Sequence, residues 1–274
     1  MLVQVADRYG TLTWLMTHLP LFGISHGKML AVQSGSWVLV DIALANWSVA
    51  GLNMLLFAVL LVIAVALRGH GRMVAAFIVY GLVAAVTVAS DHQTSQVALI
   101  AGTLVVVGAW LAPDWARRFV LTGCLAGVVF VVPLSYVASN WLNLQEAGWA
   151  QQTLQERFRI WGNAAAHVPE APVLGLGADN ATMAETATDA HLTDRALAAH
   201  PHHPHDMFLQ IWLELGGVGA AMLFAWFILL FGAVRNMAPN VQPFALGTVV
   251  VIVVEAIATW SLWSWWFLAA VALA

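Results

Sequence analysis

Charge is what this sequence most lacks. Of 274 residues only 9% are Asp, Glu, Lys or Arg. An ordinary soluble domain carries about 25%, so this chain could not cover itself with a water-facing surface. That excludes a soluble enzyme and a disordered chain. Basic residues are scarce as well: ten Lys plus Arg against fourteen Asp plus Glu leave a net charge of −4. Without a basic footprint for phosphate backbones, a nucleic-acid binder is excluded too. A single cysteine, Cys124, stands in an apolar run and rules out a disulfide framework. No cleavable signal is evident, since Met1–Gly10 does not read as a charged segment followed by an apolar one. What the chain does have is 61% hydrophobic residues, a mean hydropathy of +0.83 and 14 tryptophans. Indoles gather at both interfaces of a bilayer. The fold class that follows is all-α: a polytopic integral membrane helical bundle, with residues 1–274 as a single transmembrane domain.

A bilayer core about 30 Å thick needs about 20 apolar residues per helix. Ser48–Leu67, Met73–Ala89, Val97–Leu111, Phe119–Val137, Met207–Val234 and Phe244–Thr259 answer to that, and Ser261–Ala274 reads as a span cut short. Thr11–Ile24, broken by His18 and Pro20, and Met29–Leu44, which holds Gln33 and Asp41, read equally as spans or as interfacial helices. Arginines mark three short loops: Arg68 and Arg72, then Arg117 and Arg118, then Arg235. The loop Ser90–Gln96 has none. The positive-inside rule makes the three arginine loops cytoplasmic. Ser90–Gln96 and the long stretch Ala138–Asp206 then face the other side, which is the periplasm in a Gram-negative cell.

That long loop holds eight carboxylates, three arginines (Arg157, Arg159, Arg195) and six of the ten histidines. A loop of such length is often functional. Within it Leu154, Phe158, Trp161 and Ala165 recur at three- and four-residue spacing, which predicts a helix over Gln151–His167. Trp141, Trp149 and Trp161 place the loop on the bilayer surface. The chain shows no internal repeat, and Ala178–Ala199 is its one biased tract.

The run His200-Pro-His-His-Pro-His205-Asp206 stands directly before the helix that begins at Met207. Four histidines in six residues invite a zinc reading. Two prolines stiffen the run, however, and adjacent side chains of an extended chain point apart, so a solvated approach to a helix accounts for His200, His202 and His203. Asp206 suits the N-cap of the following helix. His205 then sits at the positive end of that helix, where anions and phosphates are attracted. Gly216 and Gly219 further along fit close approach by a neighbouring helix.

His205-Asp206, nine residues, then Gly216 and Gly219 resemble the His-(Asn/Ser/Gln)-x9-Gly-x-x-Gly signature of bacterial O-antigen ligases and the related O-antigen polymerases. Upstream, Arg157-Phe-Arg-Ile-Trp161 and Pro172-Val-Leu-Gly175-Leu-Gly177 resemble that family's Arg-x-x-x-Trp and Pro-x-x-Gly-x-Gly stretch. The closing Trp260-Ser-Leu-Trp-Ser-Trp-Trp266 resembles its aromatic last helix. The resemblance runs from about Ser48 to the end. Three departures stand out. Asp206 replaces Asn, Ser or Gln; the small loop Thr94-Ser95-Gln96 lacks the arginine of the family's Ser-Arg pair; and several of the family's ten to twelve helices are missing from the N-terminal side.

The resemblance implies transfer of a glycan from an undecaprenyl-diphosphate carrier to a hydroxyl acceptor, which for a ligase is a sugar of the lipid A core, at a bacterial inner membrane with the active site facing the periplasm. Its partners are then the lipid-linked glycan donor, a lipid A-core or other glycan acceptor and membrane lipids, with no nucleic acid, no cofactor and no metal. His205 is the family-matched group able to take the proton of an attacking sugar hydroxyl. Arg157 is matched to the departing diphosphate, which a guanidinium fork can hold. Trp161, Gly175, Gly177, Asp206 and Glu214 fall on or beside the motif and are expected to bind substrate, and Arg159 is the candidate stand-in for the arginine absent at Gln96. Glu214 lies about 12 Å below the Asp206 cap at 1.5 Å per residue, and Glu255 lies near the outer end of its span; ionisable groups at such depth line a cavity or pair. Ligase and polymerase stay open as readings, as does a structural fragment of either. A metal-binding transporter would need polar residues aligned through several spans, and these spans carry few.

Overall fold

The computed structural model describes residues 30–33, 36–39, 43–90, 92–180, 204–258 and 261–274. Within them the regular structure is helical except for a small antiparallel pair of strands, β1 (Leu30–Gln33) and β2 (Ser36–Leu39), in which Leu30 pairs with Leu39 and Gln33 with Ser36. Met29–Leu44 is therefore neither a span nor an interfacial helix over these strands. The segment is short and broken by Ser34-Gly35, a pair typical of turns, and Val32 and Val38 favour extended backbone. Thr11–Ile24 lies outside the described residues.

Among the described residues eight α-helices follow: α1 (Ala43–Ala66), α2 (Gly69–Val88), α3 (Gln93–Leu111), α4 (Pro113–Asn140), α5 (Gln152–His167), α6 (Met207–Arg235), α7 (Gln242–Ala258) and α8 (Trp265–Leu273). Among the described residues five of them, α1 to α4 and α6, are long and apolar enough to cross a membrane. The chain is multi-pass in character. α7, expected as a full span, has 17 residues and is shorter than these five. α8 has 9 residues, about 14 Å at helical rise. α4 starts six residues before the expected Phe119, because Pro113 occupies the first turn, where its missing N–H and fixed φ cost nothing.

Two packing layers hold the bundle. α7 lies chiefly on α3 and also on α1. Gly102 and Gly247 allow that approach: a Cβ on Gly102 would stand 2.6 Å from Phe57 Cε2 and 2.7 Å from Val251 Cγ2. α4 packs on α5 and α6. Phe57, Phe227, Phe231, Leu246 and Phe267 are buried between helices, whereas Phe77, Leu104 and Leu229 point outward. An apolar exterior of that kind suits hydrocarbon, where small residues and polar contacts instead of the hydrophobic effect bring helices together. Asn53 supplies one such contact, its Nδ2 donating to Thr87 Oγ1 at 3.0 Å between α1 and α2.

Arg117, Arg118 and Arg235 gather at one end of the bundle. Arg117 pairs with Asp114 at 2.7 Å, and Arg118 and Arg235 both act electrostatically on that carboxylate. The elements of the long loop assemble at the opposite end.

Candidate functional site

A break in α6 organises that end. The helix is interrupted at Gly216, which sits at φ 62° and ψ −159°. An interruption at membrane depth strands backbone groups that water cannot reach, and each must find a protein partner. The Pro172–Gly177 loop supplies them. Gly217 N donates to Pro172 O at 2.8 Å and Val218 N to Val173 O at 3.1 Å, while Leu176 N and Gly177 N donate to Leu213 O and Glu214 O, both at 2.9 Å. The loop thus replaces both carbonyl acceptors and both N–H donors on the two sides of the break. Gly175 has φ 70° and Gly177 φ 99°. A Cβ on Gly175 would collide with the Glu214 backbone. The close approach that Gly175 makes is to α6. Gly216, read from the sequence as a helix-packing glycine, instead breaks the helix to receive this loop.

The second feature is the start of α6. Asp206 is its N-cap: Oδ1 accepts from Phe208 N at 2.9 Å and from Leu209 N at 3.0 Å. Burial pushes the Asp206 carboxyl up to about 6, against the opposing pull of those two N–H groups. Trp161 reaches across from α5 and donates its Nε1–H to Pro204 O at 2.9 Å. His205, half-buried between these anchors, is held at φ 51°, a left-handed conformation uncommon for a residue with a side chain. Such backbone persists only where its surroundings fix it, and it clusters at functional sites. His200, His202 and His203 lie outside the described residues. Among the described residues no group of three or more His, Cys, Asp or Glu is placed to hold a metal ion.

α5 itself forms as its apolar spacing predicts, one residue inside the expected bounds. Its inner face, with Ala164, Ala165 and Trp161, packs against Leu209 and Leu213 of α6. Arg157 is half-buried and lines a cavity of about 710 Å³ together with His92, Gln93 and Thr94 ahead of and on α3, Trp149 and Thr153, and Val254 and Ala258 of α7. Desolvation draws the guanidinium below its ordinary pKa; it stays charged regardless. Arg159, two residues on and about 200° round the helix, is exposed and does not line this cavity. Gln96 does not reach it either, its Nε2 donating to Ser90 O at 2.8 Å. Val254 also lines an apolar groove of about 400 Å³ bordered by Leu104, Phe119, Phe208 and Ile257. The Arg157 cavity and the apolar groove therefore share a wall at Val254.

Glu214 is buried outside the cavity lining. Gln210 Nε2 donates to its Oε1 at 3.2 Å, Asp179 N to its Oε2 at 3.1 Å, and Trp263 Nε1 to that same Oε2. Gln210 in turn binds Ser261 Oγ at 3.0 Å and accepts from Leu262 N at 3.1 Å. This carboxylate ties together α6, the loop after Gly177 and the aromatic segment before α8. The Trp161–Pro204 bond ties α5 to the approach to α6 beside His205, while His205, Asp206 and Trp161 do not line the cavity that holds Arg157. Arg157 and Trp161 stand one turn apart on α5, about 6 Å along its axis.

Sequence reading missed His92, Ser95 and the partner of Glu255. Ser95 Oγ donates to Glu255 Oε1 at 2.5 Å and lies 2.6 Å from His92 Nδ1. The signal was present in Glu255 itself, since a carboxylate inside a span must be met by a polar neighbour. The His92 ring, desolvated by burial and repelled by Arg157, is brought down to about 4.

A protein named "Putative polysaccharide ligase" from Rickettsia prowazekii (strain Madrid E) is 25% identical over 211 residues, covering 75% of this chain and 52% of that protein. One of the same name from Rickettsia typhi (strain ATCC VR-144 / Wilmington) is 24% identical over 216 residues, covering 77% and 53%. The chain spans about half the length of these curated relatives. No solved structure matches. The family model described as O-antigen ligase matches residues 76–224, from within α2 to beyond the break in α6 and more than half of the chain: this protein belongs to the O-antigen ligase family.

Proposed function

We propose that the chain is a membrane-embedded glycosyltransferase that moves a glycan from an undecaprenyl-diphosphate carrier to a sugar hydroxyl of a lipid A core. The single observation that carries the reading is the desolvated Arg157 guanidinium lining a cavity beside an apolar groove. A lipid-linked diphosphate has those two halves, an anionic head and a hydrocarbon tail. Arg157 meets the charge that develops on the diphosphate as the anomeric C–O bond breaks, and two parallel N–H donors suit it better than a point charge. His205 takes the proton of the attacking hydroxyl as the new C–O bond forms. Trp161 and the Asp206 cap hold His205 in place. Arg159, exposed and off the cavity, contributes at most to the approach of the anionic substrate. By the positive-inside rule the arginine end of the bundle is cytoplasmic, which puts residues 138–206 in the periplasm of a bacterium with an inner membrane.

The test is complementation of a ligase-null Gram-negative strain, scored by lipopolysaccharide ladders. Restored ladders that vanish with His205→Ala support the reading, provided the variant protein inserts at the wild-type level. Restoration in a polymerase-null strain alone overturns the acceptor assignment.

A further inference from the structure

The cavity that holds Arg157 carries a second chemistry. Among its lining residues Arg157 is the one Arg, Lys, Asp or Glu. Five further polar groups on that wall are uncharged: the amides of Asn46, Gln93 and Gln151, and the hydroxyls of Thr94 and Thr153. They come from α1, from the first turn of α3 and from the start of α5. Gln93, Gln151 and Thr153 are exposed, and Asn46 and Thr94 are half-buried. Among the described residues none of these five side chains is taken up by a hydrogen bond.

Trp149 adds an aromatic face. It lines the same cavity and is 73% exposed. Trp141 and Trp265, at 74% and 77%, are as exposed but do not line it. Those two suit the ordinary place of an indole, at the bilayer interface. Trp149 differs in sharing its wall with amides, hydroxyls and a guanidinium.

Each amide offers both a donor and an acceptor, and each threonine hydroxyl does the same. An ionised phosphate only accepts, so it suits Arg157 and leaves the acceptors unmatched. A hydrocarbon tail matches none of them. A sugar hydroxyl both donates and accepts, and several on one ring match several such groups at once. A pyranose also has an apolar face of C–H bonds, which leaves water by lying flat on an indole. At about 710 Å³ the cavity is of the size that holds a small ligand, and a diphosphate on Arg157 fills only part of it.

We propose that Trp149, Gln93 and Gln151 form a glycan-binding subsite, with the indole under a sugar ring and the amides on its hydroxyls. This rests on the reading of Arg157 as the diphosphate-binding group, which makes the occupant the donor's glycan at its diphosphate end. Trp149 supplies affinity for a sugar ring, and the amides select among hydroxyl patterns.

Binding of three probes to the purified full chain separates the parts: undecaprenyl diphosphate alone, the same carrier bearing a disaccharide, and a lipid A core. Trp149→Ala should lose about three- to tenfold in affinity for the disaccharide carrier, the worth of one aromatic contact, and bind the bare carrier as wild type does. Trp149→Phe should recover part of the loss. Gln93→Ala and Gln151→Ala should each lose about two- to tenfold for the disaccharide carrier alone, the worth of one neutral hydrogen bond. Trp141→Ala should bind every probe as wild type does, and Arg157→Ala should lose both carriers. If Trp149→Ala binds both carriers as wild type does, the subsite is overturned while the diphosphate reading stands. If it weakens both carriers equally, the indole anchors the loop to the bilayer and the proposal is overturned. If it weakens only the lipid A core, the donor assignment is overturned. If Arg157→Ala binds both carriers normally, the diphosphate reading itself fails.

Discussion

Gly175 and Gly216 meet backbone to backbone, 41 positions apart in the chain: a Cβ on Gly216 would stand 2.6 Å from the Gly175 nitrogen and 2.5 Å from the Val173 carbonyl carbon. Both glycines have positive φ, at 70° and 62°. Alanine at Gly216 therefore suffers twice, from a backbone conformation essentially confined to glycine that costs about 1–3 kcal/mol and from displacement of a loop that satisfies four backbone groups. Gly216→Ala should lower the melting temperature in detergent by several degrees and reduce activity with it. Gly81→Ala, where the added Cβ meets nothing within 4 Å, should leave both unchanged.

Arg157 and Arg159 stand two residues apart on α5, yet only the former lines the cavity. Removing a preorganised donor to developing charge costs about 10²–10³ in rate. Arg157→Ala should fall by that much or more in ladder formation or purified transfer. Arg157→Lys keeps the charge without the planar fork and should remain severely impaired. Arg159→Ala should lose only modestly. The reverse ranking would move the diphosphate assignment to Arg159.

The spans, their order, the α5 helix and the Asp206 cap were legible because each rests on a local pattern: apolar length, 3.6-residue spacing, a capping residue before an apolar run. The strand pair at Leu30–Leu39 was not, since ten mixed residues in a hydrophobic chain carry no clear period. The break at Gly216 was hidden for another reason. A glycine that packs helices and one that admits a loop look alike until the loop is in place. His92 and Ser95 were not legible because their partner, Glu255, lies 160 residues beyond Ser95.

Asp206 stands where Asn, Ser or Gln is usual in the resemblance, and its buried carboxyl is raised from an ordinary value of 3.8 to about 6. A group more basic in the folded than in the unfolded state holds its proton longer when folded. Its contribution is fully present below about pH 4 and is lost as pH rises through 6. Asp206→Asn caps a helix as well as Asp does without ionising. The variant should be more stable than wild type at pH 7.5 and about equal to it at pH 4, with thermal unfolding across that range as the measurement. Equal melting temperatures throughout would show that the carboxyl is not perturbed by burial.

Glu214 is surrounded by donors: Gln210 Nε2, the Asp179 amide and the Trp263 indole all give hydrogens to its two oxygens. Glutamine there has one acceptor oxygen and an NH₂ that faces another donor. One buried group is then left unsatisfied, at a cost of about 1–3 kcal/mol. Glu214→Gln should therefore lower the melting temperature, and the folded protein should keep its affinity for the lipid-linked donor, because Glu214 does not line the Arg157 cavity. Trp263→Phe removes one of the three donors. Combined with Glu214→Gln it should cost less than the sum of the two single changes, since residues of one network are not independent. An unchanged melting temperature with weakened donor binding would instead make Glu214 part of a substrate wall, and strictly additive losses would separate it from Trp263.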